Sequence, residues 1–345
     1  MAASNATVDR LNGIAGDVKA IADYHVFPLV LESVLYAFFT VLMAYYSIQY
    51  WRDTRRVRGI FALSVCLYAA CTLMWALDIR LLWLELYHFI PDALSPDPSR
   101  SKTLADFDSK SVAANLLFLH GITESVIFNL SDWVSLWRAY IVYGRPRWIK
   151  ITCFALIFLS SVGYLLLIVL LSTIHLQPPP AFVVNFRSSL HGKAPIALTT
   201  LSLSTTTLAQ IFATGLMARK AWLHRRAIRQ LSGTRQSSPG RLSLVTVLYI
   251  VIETGVMYTL LWIVCLLVHD RVMGERGYQW STYWMCQIAG IYPTLIVVVV
   301  SLKVSILERS TVDSAAALDD GPLSFATTRH DAPDAIHVKL DQLSL

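Results

Sequence analysis

Charge is what this sequence has least of. Asp, Glu, Lys and Arg make up 15% of its 345 residues, against roughly a quarter in a water-soluble domain. With 55% hydrophobic residues, this excludes a disordered chain, which needs low hydrophobicity and high charge, and argues against a soluble enzyme. The five cysteines (Cys66, Cys71, Cys153, Cys265 and Cys286) all fall inside apolar runs and none in a loop. Neither a disulfide framework nor a thiolate zinc site is therefore indicated. A Gly-rich phosphate cradle and metal-ligand spacing within the apolar runs are missing too, and His120 is the one histidine well inside such a run. Lys303 lies only at the edge of the last run, which disfavours a retinal Schiff base. The reading is of a protein that is not an enzyme, with no catalytic residues, metal or cofactor. Repeats of the kind that build parallel-repeat transporters are not evident. Residues 1–26 lack a cationic start followed by an apolar core, so no cleavable signal peptide is expected.

What is present is length in apolar runs. Seven are predicted as helices, over 27–50, 60–83, 112–142, 149–174, 196–218, 244–268 and 281–304. Each is long enough to cross a hydrocarbon core of about 30 Å, and helices are the reading because irregular backbone cannot face lipid. The second run has room to continue outward through Leu84–Ile90 until Pro91 stops it. The fold class is all-α: a polytopic seven-transmembrane-helix bundle over 27–304, between an extracellular tail (1–26) and a disordered cytoplasmic tail (305–345).

Loop charge sets the orientation. The first, third and fifth loops carry Arg52, Arg55, Arg56, Arg58, Arg145, Arg147, Lys150, Arg219, Lys220, Arg225, Arg226, Arg229, Arg235 and Arg241, with Asp53 as their acid. The other loops balance Arg100, Lys102, Lys110, Arg187, Lys193, Arg271 and Arg276 against Glu85, Asp92, Asp97, Asp106, Asp108, Asp270 and Glu275. Cytoplasmic loops carry the Lys/Arg excess, so the N-terminus is expected outside and the C-terminus in the cytoplasm. Asn5-Ala6-Thr7 is a glycosylation sequon that this topology makes usable. Tyr50, Trp51, Trp137, Tyr140, Trp148 and Trp222 mark the inner interface, and Trp83, Tyr87, Tyr278, Trp280 and Trp284 the outer one. Interfacial anchoring accounts for that distribution without a ligand. The net charge of +6 resides in these loops, so the expected partner is the lipid bilayer and not nucleic acid.

Ionisable groups inside a bilayer are costly and mark functional hypotheses. His120, Glu124, Ser131, Ser135 and Arg138 share one face of the third helix, and His120 and Glu124, four apart, can touch. That pair reads either as a ligand-binding or proton-sensing element or as packing glue. With Glu32, Asp78 and Gln287 it is expected to line an outward-opening ligand pocket, provided helices one, two, three and seven converge. Asp78 with Arg80 reads equally well as an interfacial pair. Deeper lie Asp132, Arg138 and Glu253, which could form an Arg–carboxylate latch between helices three and six; a plain anchor role for Arg138 fits as well. Pro293 interrupts the seventh helix with a kink-prone residue. Thr199, Thr200, Ser202, Ser204 and Thr205–Thr207 favour close helix packing in the fifth.

At Trp137-Arg138-Ala139-Tyr140 and Ile291-Tyr-Pro-Thr-Leu-Ile-Val-Val-Val-Val-Ser301 the chain resembles a large group of seven-helix, receptor-like proteins of mushroom-forming fungi, over most of residues 25–305. The resemblance implies a receptor-like membrane protein and carries over no ligand, reaction or functional residue. More broadly the chain is similar to G-protein-coupled receptors in helix number, orientation, basic third cytoplasmic loop and Ser/Thr-bearing tail. It departs from the rhodopsin-like kind in lacking an outer-loop cysteine pair, an acid before Arg138 and an Asn-Pro pair in helix seven. Three functions remain open. One is a plasma-membrane receptor that binds a small ligand outside and meets a G protein or another acidic partner at Arg219–Arg241. The others are a proton- or solute-coupled transporter or channel, and a non-catalytic scaffold.

Overall fold

The computed structural model describes residues 12–13, 15–16, 18–52, 58–89, 111–144, 146–175, 194–231, 239–269 and 274–319. Every regular element among them is helical: α1 (Phe27–Arg52), α2 (Arg58–Leu84), α3 (Ser111–Val142), α4 (Arg147–His175), α5 (Ala194–Leu231), α6 (Pro239–His269) and α7 (Gly274–Asp319). A π-helical stretch, Ala22–Val26, leads into α1, and another, Glu85–Phe89, continues α2. The contacts divide the chain into two units, 1–303 and 304–345. The first contains the bundle; in the second, residues 304–319 are helical.

Among the described residues, six helical stretches are long and apolar enough to cross a membrane: Val18–Arg52, Arg58–Tyr87, Val112–Val142, Arg147–Ser172, Ile252–His269 and Gly277–Val299. α5 is longer than most, at 38 residues, and carries Ser202, Ser204 and Thr205–Thr207 along its length. The surface supports the same environment. Val34, Val41, Ile151, Phe154 and Phe158 point large apolar side chains outward, while Glu32, Asp78, Asp132, Gln210 and Gln287 are buried. A soluble fold would reverse that pattern. This is the helical bundle of a multi-pass membrane protein.

Helix ends depart from the sequence reading where apolarity and helix propensity part company. The N-terminal tail is already helical from Val18, and α1 with its leader forms one stretch to Arg52. α5 continues past Ala218 to Leu231, because Arg219–Leu231 is rich in Ala, Arg, Lys and Leu, good helix formers that need no lipid. α6 opens on Pro239, a residue suited to a first turn. α7 begins at Gly274 and runs to Asp319, well into the segment expected to be disordered. Asn5 lies outside the described residues, as do Arg55, Arg56, Arg235 and residues 320–345.

Helices α1 to α6 pack against their neighbours in chain order, with α3 also against α5. Neighbour contacts join α1 to α2, α2 to α3, α3 to α4 and α5, α4 to α5, and α5 to α6. Side chains of α7 join it to α1, α2 and α6. α7 is the most enclosed span, with 61% of its apolar window buried, against 22% for α4. Its core includes Phe39, Cys71, Met74, Phe128, Trp262, Met285, Cys286 and Ala289. The absence of a side chain at Gly290 makes this packing possible: a Cβ there would lie 2.6 Å from Cys71 Sγ and 3.0 Å from Phe39. Small residues at helix crossings serve that purpose in membranes.

Candidate functional site

The predicted polar residues meet in three places. In the first, α1, α2, α3 and α7 converge. Gln287 of α7 donates its Nε2 to Glu32 Oε1 of α1 at 2.9 Å and to the Cys71 carbonyl of α2 at 3.3 Å. His120 Nε2 of α3 stands 3.1 Å from Asp78 Oδ1 of α2. Glu124, one turn further along α3, is within electrostatic range of both His120 and Asp78. Glu32 and Gln287 are fully buried and Asp78 is 3% exposed.

Two features of this cluster differ from the sequence reading. His120 turns to Asp78, not to Glu124, because its ring reaches across the α2–α3 interface. The residues also close on one another in pairs, so Glu32, Asp78 and Gln287 do not stand open to an outer cavity. The pairing is incomplete: Glu32 Oε2, Asp78 Oδ2 and Gln287 Oε1 are buried with no donor among the described residues. Glu32 and Asp78 thus each turn one carboxylate oxygen to a partner on another helix and keep the second unpartnered.

Further groups lie on the same helices. His25 Nδ1 lies 3.0 Å from the Tyr283 hydroxyl, and its Nε2 lies 3.7 Å from Glu85. The Trp280 indole donates to the Asp23 carbonyl at 3.0 Å. Asp23 and His25, in the segment expected as an N-terminal tail, are thus bound to α7. Below them, Tyr36, Thr40, Tyr68 and Thr72 share hydroxyl contacts of 3.2 Å, and Trp75 stacks on Tyr36 while donating to Ser33 at 3.0 Å. Arg80 lies over Trp83, its guanidinium carbon 4.2 Å from the ring centroid, while Asp78 turns inward to His120. The two do not act as an interfacial pair.

The second place is built on Asp132. Successive residues on a helix are about 100° apart, so Ser131 and Asp132 face different neighbours. Ser131 meets the Tyr258 hydroxyl of α6 at 2.7 Å. Asp132 points to α4 and α5, where its Oδ2 accepts from Thr206 at 2.8 Å and Ser160 at 3.1 Å, and its Oδ1 from Gln210 at 2.8 Å. Tyr164 extends the network to Thr206 at 2.9 Å. Sequence reasoning found Asp132 but missed these partners; Gln210, an amide deep in an apolar run, was the available signal.

The third place is Arg138. Its guanidinium carbon lies 5.0 Å from the Tyr292 ring centroid, and that ring stacks on Tyr258 at 3.9 Å. Arg138 also donates to Ser135 at 3.3 Å and to the Val134 carbonyl at 3.4 Å. Among the described residues it has no carboxylate partner: Asp132 is occupied by α4 and α5, and Glu253 is exposed on α6. The expected Arg–carboxylate latch is replaced by a cation–aromatic contact that joins α3, α6 and α7. Next to Tyr292, α7 runs on through Pro293, and the Thr294 hydroxyl donates to the Gly290 carbonyl at 3.4 Å.

Among the described residues no three His, Cys, Asp or Glu side chains stand where they could hold a metal ion. No family model matches the chain. A comparison with curated proteins likewise found no match.

Proposed function

We propose that this chain is a receptor-like protein of the plasma membrane, with seven spans, its N-terminus outside and its C-terminus in the cytoplasm. One observation carries the reading: Glu32, Asp78, His120 and Gln287 come from four different helices and form two polar pairs, Gln287 with Glu32 and His120 with Asp78, inside the bundle. A ligand shifts a conformational equilibrium only by binding one state better than the other. Breaking the Gln287–Glu32 or Asp78–His120 pair exposes a buried polar group at a cost of about 1–3 kcal/mol. A small polar ligand that supplied the missing contact would stabilise a different arrangement of α1, α2, α3 and α7. The Arg138–Tyr292–Tyr258 contact lies on the same helices three and seven, so such a rearrangement reaches it. The basic residues of Arg219–Arg241 supply the surface for a G protein or another acidic partner, and loop charge supports the orientation.

The test is nucleotide exchange on co-expressed G proteins, measured across a broad panel of small polar ligands, with tags at both chain ends to fix topology. A stimulating ligand should lose its effect in Glu32→Gln and Asp78→Asn at equal surface expression. Silence across the panel, with both tags on one side of the membrane, would sink the reading.

The 3.1 Å contact between Asp78 and His120 favours one second reading, a proton-coupled transporter. With Glu124 and Glu32 nearby, that pair supplies groups that can hold a proton; Glu253, exposed on α6, is not part of it. Flux in proteoliposomes that persists in the combined Glu32→Gln, Asp78→Asn and Glu124→Gln variant would count against this reading.

A further inference from the structure

Of the six apolar stretches found among the described residues, α4 is the one its neighbours cover least. Along it Arg147, Lys150, Ile151, Phe154, Ala155 and Phe158 line an open groove of about 660 Å³. Their spacing of three and four puts them on one helical face. Ile151, Phe154 and Phe158 are 70%, 72% and 63% exposed, so no helix among the described residues covers this face, and the small Ala155 leaves room between the larger side chains. The groove has a polarity along its axis: both cations stand at one end, the other end is wholly apolar, and no acid lines it. Arg147 and Phe158 are eleven residues apart, about 16 Å at 1.5 Å per residue. One leaflet of the hydrocarbon core is half of about 30 Å. The groove therefore runs the depth of a single leaflet, with its charge where headgroups lie.

We propose that this face of α4 binds an anionic glycerophospholipid, its phosphate between Arg147 and Lys150 and one acyl chain along Ile151, Phe154, Ala155 and Phe158. Charge complementarity selects the headgroup, and the match to leaflet depth selects a lipid over a free phosphate. In the orientation proposed above, the basic end meets the cytoplasmic leaflet, where anionic lipids reside. The site itself requires only that α4 stand in a bilayer, so it does not stand or fall with the receptor reading.

The experiment uses the purified, delipidated full chain in detergent. It is offered phosphatidylserine and phosphatidylcholine of identical acyl chains in equal amounts, and bound lipid is counted by native mass spectrometry. Phosphatidylserine is expected to be retained at least about tenfold over phosphatidylcholine, in line with the attraction of two basic groups near a membrane surface. The Arg147→Ala/Lys150→Ala variant should bring the two lipids to parity. Ala155→Trp, which fills the groove and spares both cations, should reduce retention of both. Soluble glycerophosphoserine should displace neither. All three substitutions lie on an uncovered face, and an unchanged thermal midpoint verifies the fold. Parity in the unaltered chain, a preference that survives loss of both cations, retention indifferent to Ala155→Trp, or displacement by glycerophosphoserine would each overturn the proposal.

Discussion

The Gln287 side-chain amide of α7 is bonded to both Glu32 of α1 and the Cys71 carbonyl of α2, so one polar group fastens three helices. Gln287→Leu leaves the fully buried Glu32 carboxyl without that donor. It is expected to destabilise the bundle by about 1–3 kcal/mol, read as a lower thermal midpoint in nanodiscs. Combining it with Glu32→Leu should cost less than the sum of the two. A coupling energy near zero would show that the two side chains do not support each other.

Asp78 and His120 form the other closure, at 3.1 Å across α2 and α3. His120→Gln can still donate to the carboxyl, whereas His120→Leu cannot. The glutamine variant should keep most of the stability and the leucine variant should lose about 1–3 kcal/mol. Equal loss in both would mean that ring packing, not the polar contact, holds this interface.

Asp132 is held by two hydroxyls and one amide, which makes its replacements unequal. An asparagine can turn its oxygen to the Gln210 amide and its NH2 to the Thr206 and Ser160 hydroxyls, since hydroxyls accept as well as donate. Asp132→Asn is therefore expected to be mild. Asp132→Leu strands the buried Gln210 amide and should cost about 1–3 kcal/mol. Denaturant titration of the detergent-solubilised chain separates the two.

Gly290 is limited by contact and not by backbone angle. A methyl there meets Cys71 Sγ at 2.6 Å and Phe39 at 3.0 Å, so Gly290→Ala should cost about 1–3 kcal/mol through overpacking. Adding Cys71→Ala removes the nearer obstacle and should restore part of the loss; the remainder belongs to Phe39. Absence of any rescue in thermal unfolding would argue against this packing of α7.

The Arg138 contact is to the ring of Tyr292 and does not require its hydroxyl. Tyr292→Phe should preserve the Arg138 coupling, while Tyr292→Leu should remove about 0.5–2 kcal/mol, the range of a cation–π contact. A double-mutant cycle with Arg138→Leu reads that difference directly.

Helix positions were legible because each run had to bury its own backbone hydrogen bonds in lipid, a constraint that acts locally and leaves a local mark. The same signal failed at helix ends. Arg219–Leu231 and residues 305–319 are polar yet helical, and hydropathy reports the solvent of a segment, not its backbone conformation. Candidate polar residues were legible for a related reason: a carboxylate within an apolar run stands out whatever its partner.

Partners were not legible. Spacing put His120 against Glu124, and charge put Arg138 against Asp132 or Glu253; in the bundle His120 meets Asp78, Arg138 meets Tyr292, and Asp132 meets Ser160, Thr206 and Gln210. Sequence by itself determined that the chain is a set of apolar helices and which costly side chains lie within them, since both follow from transfer of single segments out of water. Only the tertiary structure decided which of those side chains touch, because that depends on the order and rotation of helices far apart in the chain, set by packing such as Gly290 against Cys71 and Phe39.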